Sequence, residues 1–211
     1  MLENPSILRV LCKKSDNLLG ADNQQERFSD KKTLMNNISK IPPHIGYYLA
    51  GFVDGEGSFH VSFRPRDDYK MLWKISLCFN VSQKERIILA LFKQHLKCGS
   101  LRSREDEIWY YEVNNFTAIK NNVIPFFEKY GFLSAKKKND FAKFRQIAKL
   151  IENKSHLEKE GIRKILQLRD QMNNGGKHKY SSEFIWEKLK KSPETIRQTE
   201  VDNSDDIVRT S

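Results

Sequence analysis

Three features of the 211-residue chain predict an α+β fold. A compact apolar run with helical spacing, residues 44–54, follows the helix-starting Ile41-Pro42-Pro43. Two later stretches alternate polar and apolar residues in pairs, as antiparallel strands with one buried face do. An amphipathic helix follows each pair. The resulting order is helix, two strands, helix, two strands, helix: an αββαββα core around an antiparallel sheet, with further helices C-terminal to it.

Each element has a local reason. Proline suits the first turn of a helix, so the first helix starts near Pro43; it ends where Gly55 and Gly57 flank Glu56. Ser58–Arg64 alternates without a break, which puts Ser58, His60, Ser62 and Arg64, with Arg66 beyond them, on a polar face. After the Asp67-Asp68 turn, Met71, Trp73, Ile75, Leu77, Phe79 and Val81 alternate with Lys70, Lys74, Ser76 and Asn80, completing a hairpin with one basic face. Ile87, Ile88, Leu91, Phe92 and Leu96 give the next helix its apolar stripe. A shorter strand pair runs through Ser100–Arg104 and Ile108–Val113, where parity places Ser100, Arg102, Arg104, Tyr110 and Glu112 on the outer face. The chain is helical from Phe116 to Tyr130, stops at Gly131 and restarts near Ser134. Residues 134–149 carry Lys136, Lys137, Lys138, Lys143, Arg145 and Lys149 against the single acid Asp140, with Phe141, Phe144, Ile147 and Ala148 on one apolar face. A further helix spans His156 to Met172, Asn173–Gly176 is a break, and Phe184-Ile185-Trp186 with Leu189 marks a docking helix. Residues 1–40 read as a weakly ordered extension, 41–192 as the domain and 193–211 as a disordered tail.

Composition narrows the partner. Lysine and arginine total 37 against 27 acids, a formal charge of +10, which points to a polyanion such as nucleic acid. The three cysteines, Cys12, Cys78 and Cys98, are too few and odd in number for a disulfide framework. No apolar run approaches a membrane span and no secretory signal opens the chain, so an intracellular protein that is neither membrane-bound nor secreted is expected. His95 and Cys98 have an HxxC spacing that Cys78 could extend, but no second such pair supports a zinc site. No nucleotide-binding motif is visible.

The chemistry concentrates in Leu49-Ala50-Gly51-Phe52-Val53-Asp54-Gly55-Glu56-Gly57. Gly51 and Gly55, four apart, share a helix face that with Ala50 is almost without side chains, and a second backbone can approach it, whether that of the chain's own sheet or of another helix. Asp54 and Glu56 sit at the helix C-terminus, where the carbonyls already carry partial negative charge. A divalent cation bound by carboxylate and carbonyl oxygens removes that conflict; two solvated carboxylates are the alternative.

The segment Leu49–Gly57, with Ser58-Phe59 after it, resembles the signature of LAGLIDADG homing endonucleases, and the element order over residues 44–150 resembles that family's core. The resemblance implies a single-motif, homodimeric enzyme of that type. It makes Glu56 the metal-binding catalytic acid and Gly55 a second ligand through its carbonyl, with Asp54 mainly structural near the helix interface. Gln83 resembles the glutamine that orders water around the metals. Lys136 resembles the lysine that activates water or stabilises the scissile phosphate, a role Lys137 could also take. Mg²⁺ is the implied cofactor, with Mn²⁺ substituting.

One motif per chain implies that two chains share a duplex, joined through Ala50, Gly51, Asp54 and Gly55 so that two Glu56 lie near a two-fold axis. The repulsion between them calls for metal and phosphate, and the metals would neutralise developing charge and generate the nucleophile at both scissile phosphates. The sheet's polar face would read double-stranded DNA in the major groove. The lysine-rich helix, with Lys137 and Lys138, would add phosphate contacts. Family habit places such a gene in a mobile intron of a bacterial or organellar genome, so a bacterial cytoplasm or a mitochondrial or chloroplast matrix is expected. The rival reading is a cleavage-inactive relative acting as an intron-RNA maturase or DNA-binding regulator.

Overall fold

The computed structural model describes residues 38–69, 71–103, 107–173 and 178–190. The expectations for residues 1–37 and 191–211, and those for Lys70, Arg104 and the Gly175-Gly176 break, lie outside these. The domain begins earlier than residue 41, because Ile38 is 7% exposed and its carbonyl accepts from Lys129 Nζ at 3.1 Å.

Helix α1 (Pro43–Glu56) begins as the prolines dictate, with the Ile45 and Gly46 N–H groups both 3.0 Å from the Pro42 carbonyl. It ends at Gly57, whose N–H bonds the Val53 carbonyl and whose backbone is already extended. Glycine is required there by space rather than by φ: a Cβ on Gly57 would lie 2.4 Å from Val53 Cγ1. The chain therefore turns from helix into strand within one residue.

Strands β1 (Gly57–Pro65) and β2 (Trp73–Gln83) form an antiparallel hairpin, and β4 (Trp109–Val113) pairs β2 on one side and β3 (Ser100–Ser103) on the other. The sheet order is β1-β2-β4-β3. Register fixes the faces. Ser58 lies opposite Asn80, Asn80 opposite Glu112, and Glu112 opposite Ser100, forming one continuous row of polar residues. The alternate row turns Phe59, Val61, Leu77, Phe79, Val81, Tyr111 and Val113 into the core. Phe59, three residues after the motif helix, is its hub, with Phe144 at 5.0 Å and Phe79 at 5.3 Å between ring centroids.

Helices cover the apolar side. Helix α2 (Arg86–Leu96) follows β2 and packs against β2, β3 and β4. The stretch read as one helix from Phe116 to Tyr130 is three: α3 (Phe116–Ala118), a π-helical segment (Ile119–Val123) and α4 (Ile124–Tyr130). Pro125 gives the reason, since it lacks an N–H and its ring crowds the carbonyl four residues earlier, a conflict the wider π turn relieves. Helix α5 (Ala135–Glu152) is capped by Ser134, whose Oγ accepts from the Lys137 N–H at 3.2 Å. A 3₁₀ turn (Ser155–Leu157), α6 (Lys159–Asp170) and α7 (Ser182–Lys190) complete the fold. The buried Arg169 ties these last helices to the far end of the sheet, donating to Ser182 Oγ at 2.7 Å while lying 5.1 Å over the Phe63 ring. Among the described residues no helix is long and apolar enough to cross a membrane.

Candidate active site and nucleic-acid interface

The end of α1 and the start of α5 meet. Asp54 accepts from the Leu133 N–H at 3.1 Å, the Ser134 N–H at 2.9 Å and the Ser134 hydroxyl. Burial pushes its carboxyl up, but the Ser134 and Leu133 hydrogen bonds and the nearby Lys137 charge outweigh that and hold it below the ordinary 3.8. Asp54 thus braces the first turn of α5 within its own chain.

That brace delivers a lysine to the motif, and the lysine is Lys137 rather than Lys136. Lys137 Nζ donates to the Gly57 carbonyl, whereas Lys136 stands exposed in the first helical turn. Burial lowers the Lys137 ammonium below its ordinary value; Asp140, Asp54 and Glu56 pull it back up and Lys136 pushes it down. Glu56 itself is exposed at the helix end. Gly55 lies in the same last turn, where helical carbonyls have no partner of their own.

Gln83 ends β2 two residues beyond Val81, the register partner of Gly57, and so lies at the same end of the sheet as Glu56. Its Oε1 accepts from the Lys84 N–H at 2.8 Å. His60, on the polar row, is held below its ordinary value by burial and by the charges of His178 and Lys137, which places the C-terminal segment near this end of β1. Asn173 makes the same connection, donating to the Phe59 carbonyl at 2.9 Å while its N–H bonds Asp140 Oδ1 at 3.1 Å.

The donor set decides which metal fits. Among the described residues no three His, Cys, Asp or Glu side chains cluster, and Cys78 and Cys98 occupy opposite faces of the sheet, so a zinc cage is not built. One exposed carboxylate beside helix-end carbonyls is an incomplete shell of hard oxygens. That fits a cation such as Mg²⁺, which keeps waters and takes its other oxygens from phosphate.

The two sides of α1 differ. Ala50, expected on the approachable face, is 2% exposed and belongs to the chain's own core, because it shares the inward phase of Gly46, Leu49 and Val53. Gly51 and Gly55 are on the outer side, and among the described residues a Cβ on either would meet nothing within 4 Å. Tyr48, one turn before Gly51, is 50% exposed.

On the sheet, Ser58, His60, Ser62, Arg64, Lys74, Ser76, Asn80, Ser100, Arg102, Tyr110 and Glu112 share the outer row as parity predicts. Cys78 and Ser82 share it too; they were overlooked, although their spacing from Ser76 and Asn80 marks them. Arg66 differs, since Asp68 holds both its Nε and Nη2 at 2.7 and 2.6 Å. On α5, Lys138 and Lys149 are exposed, while Lys143 bonds the Gln171 carbonyl at 3.0 Å and Arg145 bonds Glu128 at 2.9 Å.

Residues 49–148 match the family model described as LAGLIDADG endonuclease, and the match takes in the second half of the motif helix and the Lys137 turn. A crystal structure of the homing endonuclease I-TnaI superposes with a TM-score of 0.59 at 31% identity, over 75% of this chain and 97% of that one. The chain belongs to the LAGLIDADG endonuclease family. Another family structure, I-SmaMI bound to uncleaved DNA target in the presence of calcium ions, matches with a TM-score of 0.59 at 27% identity over 72% of this chain and 48% of that one. Among curated proteins, a probable intron-encoded endonuclease of Neurospora crassa is 32% identical over 165 residues, 76% of this chain. The chain spans only about a third of that relative's length, 30%.

Proposed function

We propose that this LAGLIDADG chain is a site-specific, metal-dependent homing endonuclease that acts as a homodimer on both strands of a long, pseudo-palindromic DNA duplex. The observation that carries the reading is the convergence of Glu56 and Lys137 at one end of a basic sheet face, beside a helix surface left open by Gly51 and Gly55. An open glycine face lets two α1 helices approach closely, and a two-fold axis through it brings two Glu56 carboxylates together. Such a contact supplies from two chains the oxygens that one lacks. That I-SmaMI is matched over only 48% of its chain is consistent with two copies of this fold sharing a duplex.

Glu56 and the Gly55 carbonyl would hold Mg²⁺, with Mn²⁺ as substitute. The ion supplies charge neutralisation at the phosphate and a lowered pKa for attacking water. Lys137, with its ammonium drawn to the Gly57 carbonyl, would stabilise the scissile phosphate. Asp54 would keep it there by bracing α5, and Gln83 would order water at the same end. Arg64, Lys74, Asn80 and their neighbours on the polar row would read base edges, while Lys138 and Lys149 would grip phosphates. The intron-encoded relatives suggest an intron gene of a bacterium or organelle for this chain as well.

The test is Glu56→Gln assayed on the chain's own site in Mg²⁺. It removes a metal ligand and no phosphate or base contact, so strand cleavage is lost while specific binding stays within about a factor of ten. Cleavage near the wild-type rate would sink the assignment. A wild-type protein that binds duplex but cuts it in neither Mg²⁺ nor Mn²⁺ would favour a cleavage-inactive maturase or regulator.

A further inference from the structure

We infer that Glu112 aims Arg102, so that the two together recognise a single guanine in each half of the duplex site. The inference rests on the sheet being the DNA-reading surface. Among the described strand residues Glu112 is the one acid, and it stands mid-sheet, in register with Asn80 on β2 and Ser100 on β3. A bare carboxylate there would face a polyanion at a cost. It is not bare: Oε2 accepts from Arg102 Nη2, and Oε1 accepts from the Cys78 thiol at 3.3 Å. Burial pushes that thiol up to about 11, against the pull of Asn80 and Arg102, so it stays a donor at neutral pH.

The contrast with Arg66 shows what the arrangement achieves. Asp68 grips Arg66 through two nitrogens, Nε and Nη2, and consumes the fork. Glu112 holds Arg102 through Nη2, and the Arg102 side chain is 58% exposed against 25% for Glu112. A guanidinium has five N–H donors in a rigid plane, so anchoring one nitrogen fixes the plane and leaves other donors for a ligand. Guanine presents two acceptors, N7 and O6, on its major-groove edge, and a planar fork matches both; adenine replaces one of them with a donor. The carboxylate, unable to donate, repels phosphate and prevents Arg102 from folding down onto the backbone of the duplex. Glu112 is therefore a positioning residue, and Arg102 is the reader.

Selection from randomised duplexes, run on the full chain with wild type, Arg102→Ala, Arg102→Lys and Glu112→Gln, tests this. Wild type should enrich guanine at one position in each half-site. Both Arg102 variants should lose that preference by roughly tenfold or more, and Glu112→Gln should lose it several-fold at the same position. Removing an acid should also leave Glu112→Gln binding random duplex as tightly as wild type or more tightly, which a merely structural residue would not do. Thermal melts establish that each variant is folded, and Arg102→Lys keeps the charge should the alanine variant fail. Retention of the guanine preference by Glu112→Gln, or relaxation at different positions by the Arg102 and Glu112 variants, overturns the inference alone. A wild-type protein that enriches no sequence overturns the sheet as reader and this inference with it.

Discussion

The inner and outer faces of α1 carry the same small residues to opposite ends. Gly46 faces inward, where a Cβ would fall 2.2 Å from the Tyr130 ring, and Gly57, just past the helix end, leaves no more room, with a Cβ 2.4 Å from Val53 Cγ1. Gly51 and Gly55, on the same helix, face no other described residue within 4 Å of a Cβ. Glycine lowers helix stability by about 1 kcal/mol relative to alanine, so two glycines on an exposed helical face weaken the chain without improving its own packing. Inside, glycine makes room for this chain; outside, it leaves open the face that the proposed homodimer requires.

The largest effect should come from filling the outer face. Gly51→Leu or Gly55→Leu should leave the melting temperature of the isolated chain at or above wild type, because both sites are open and leucine favours helix. Sedimentation should nonetheless show monomers, and double-strand cleavage should fall below detection. Variants that still dimerise and cut DNA would place the interface elsewhere.

Next in size is the pair of adjacent lysines. Lys137→Met should lower the cleavage rate by roughly a hundredfold or more, on the order of what a single positioned catalytic group contributes. Lys136→Met should cost only a general weakening with a flatter dependence on salt, since an exposed lysine acts by phosphate attraction and its removal leaves fewer counterions to release. Equal losses for the two in single-turnover cleavage would deny Lys137 its distinct role.

Helical phase explains why such distinctions were only partly legible. Strand parity has a period of two and leaves no choice of face, so every described strand residue expected on the polar row is there. A helix has more freedom. Lys137 precedes Phe141 by four and Phe144 by seven, so it shares the inward stripe, and Lys136 does not; that signal was in the sequence. So was the phase joining Gly46, Ala50 and Val53, which assigns Ala50 to the core. The tie between Asp54 and Ser134 spans 80 residues and has no local signature. Neither does the salt bridge from Arg102 to Glu112. Pro125 announced a break in its helix, but not that the break would be a π turn.

On the inner face the expected change is in stability alone. Gly46→Ala sets a methyl against the Tyr130 ring, whose hydroxyl is fixed 2.9 Å from the Ile41 carbonyl and cannot swing aside freely. Overpacking of this kind costs about 1–3 kcal/mol, so denaturant midpoints should fall with the slope unchanged. An unchanged midpoint would show that the inner glycines are as replaceable as the outer ones.

The smallest effect concerns the brace that joins α1 to α5, and it depends on pH. Asp54 has a folded pKa below its ordinary 3.8, so the ionised carboxylate stabilises the fold. By linkage that contribution is complete above the ordinary value and disappears as pH falls through the folded one. Asp54→Asn should therefore melt lower than wild type at pH 7, and the gap should narrow steadily below pH 4. The carboxylate is mostly exposed, so solvent screening keeps the gap to a few degrees at most. Ser134→Ala removes the hydroxyl that both caps α5 and donates to Asp54; it should cost about 1 kcal/mol as a lost cap, with a part that also fades in acid. The double variant should then lose less than the sum of the two, because they share one hydrogen bond. Melts of all four proteins between pH 3 and pH 7 decide the matter. A gap that stays constant across that range would mean that Asp54 holds α5 by shape rather than by charge, and strict additivity would mean that the two residues do not act together.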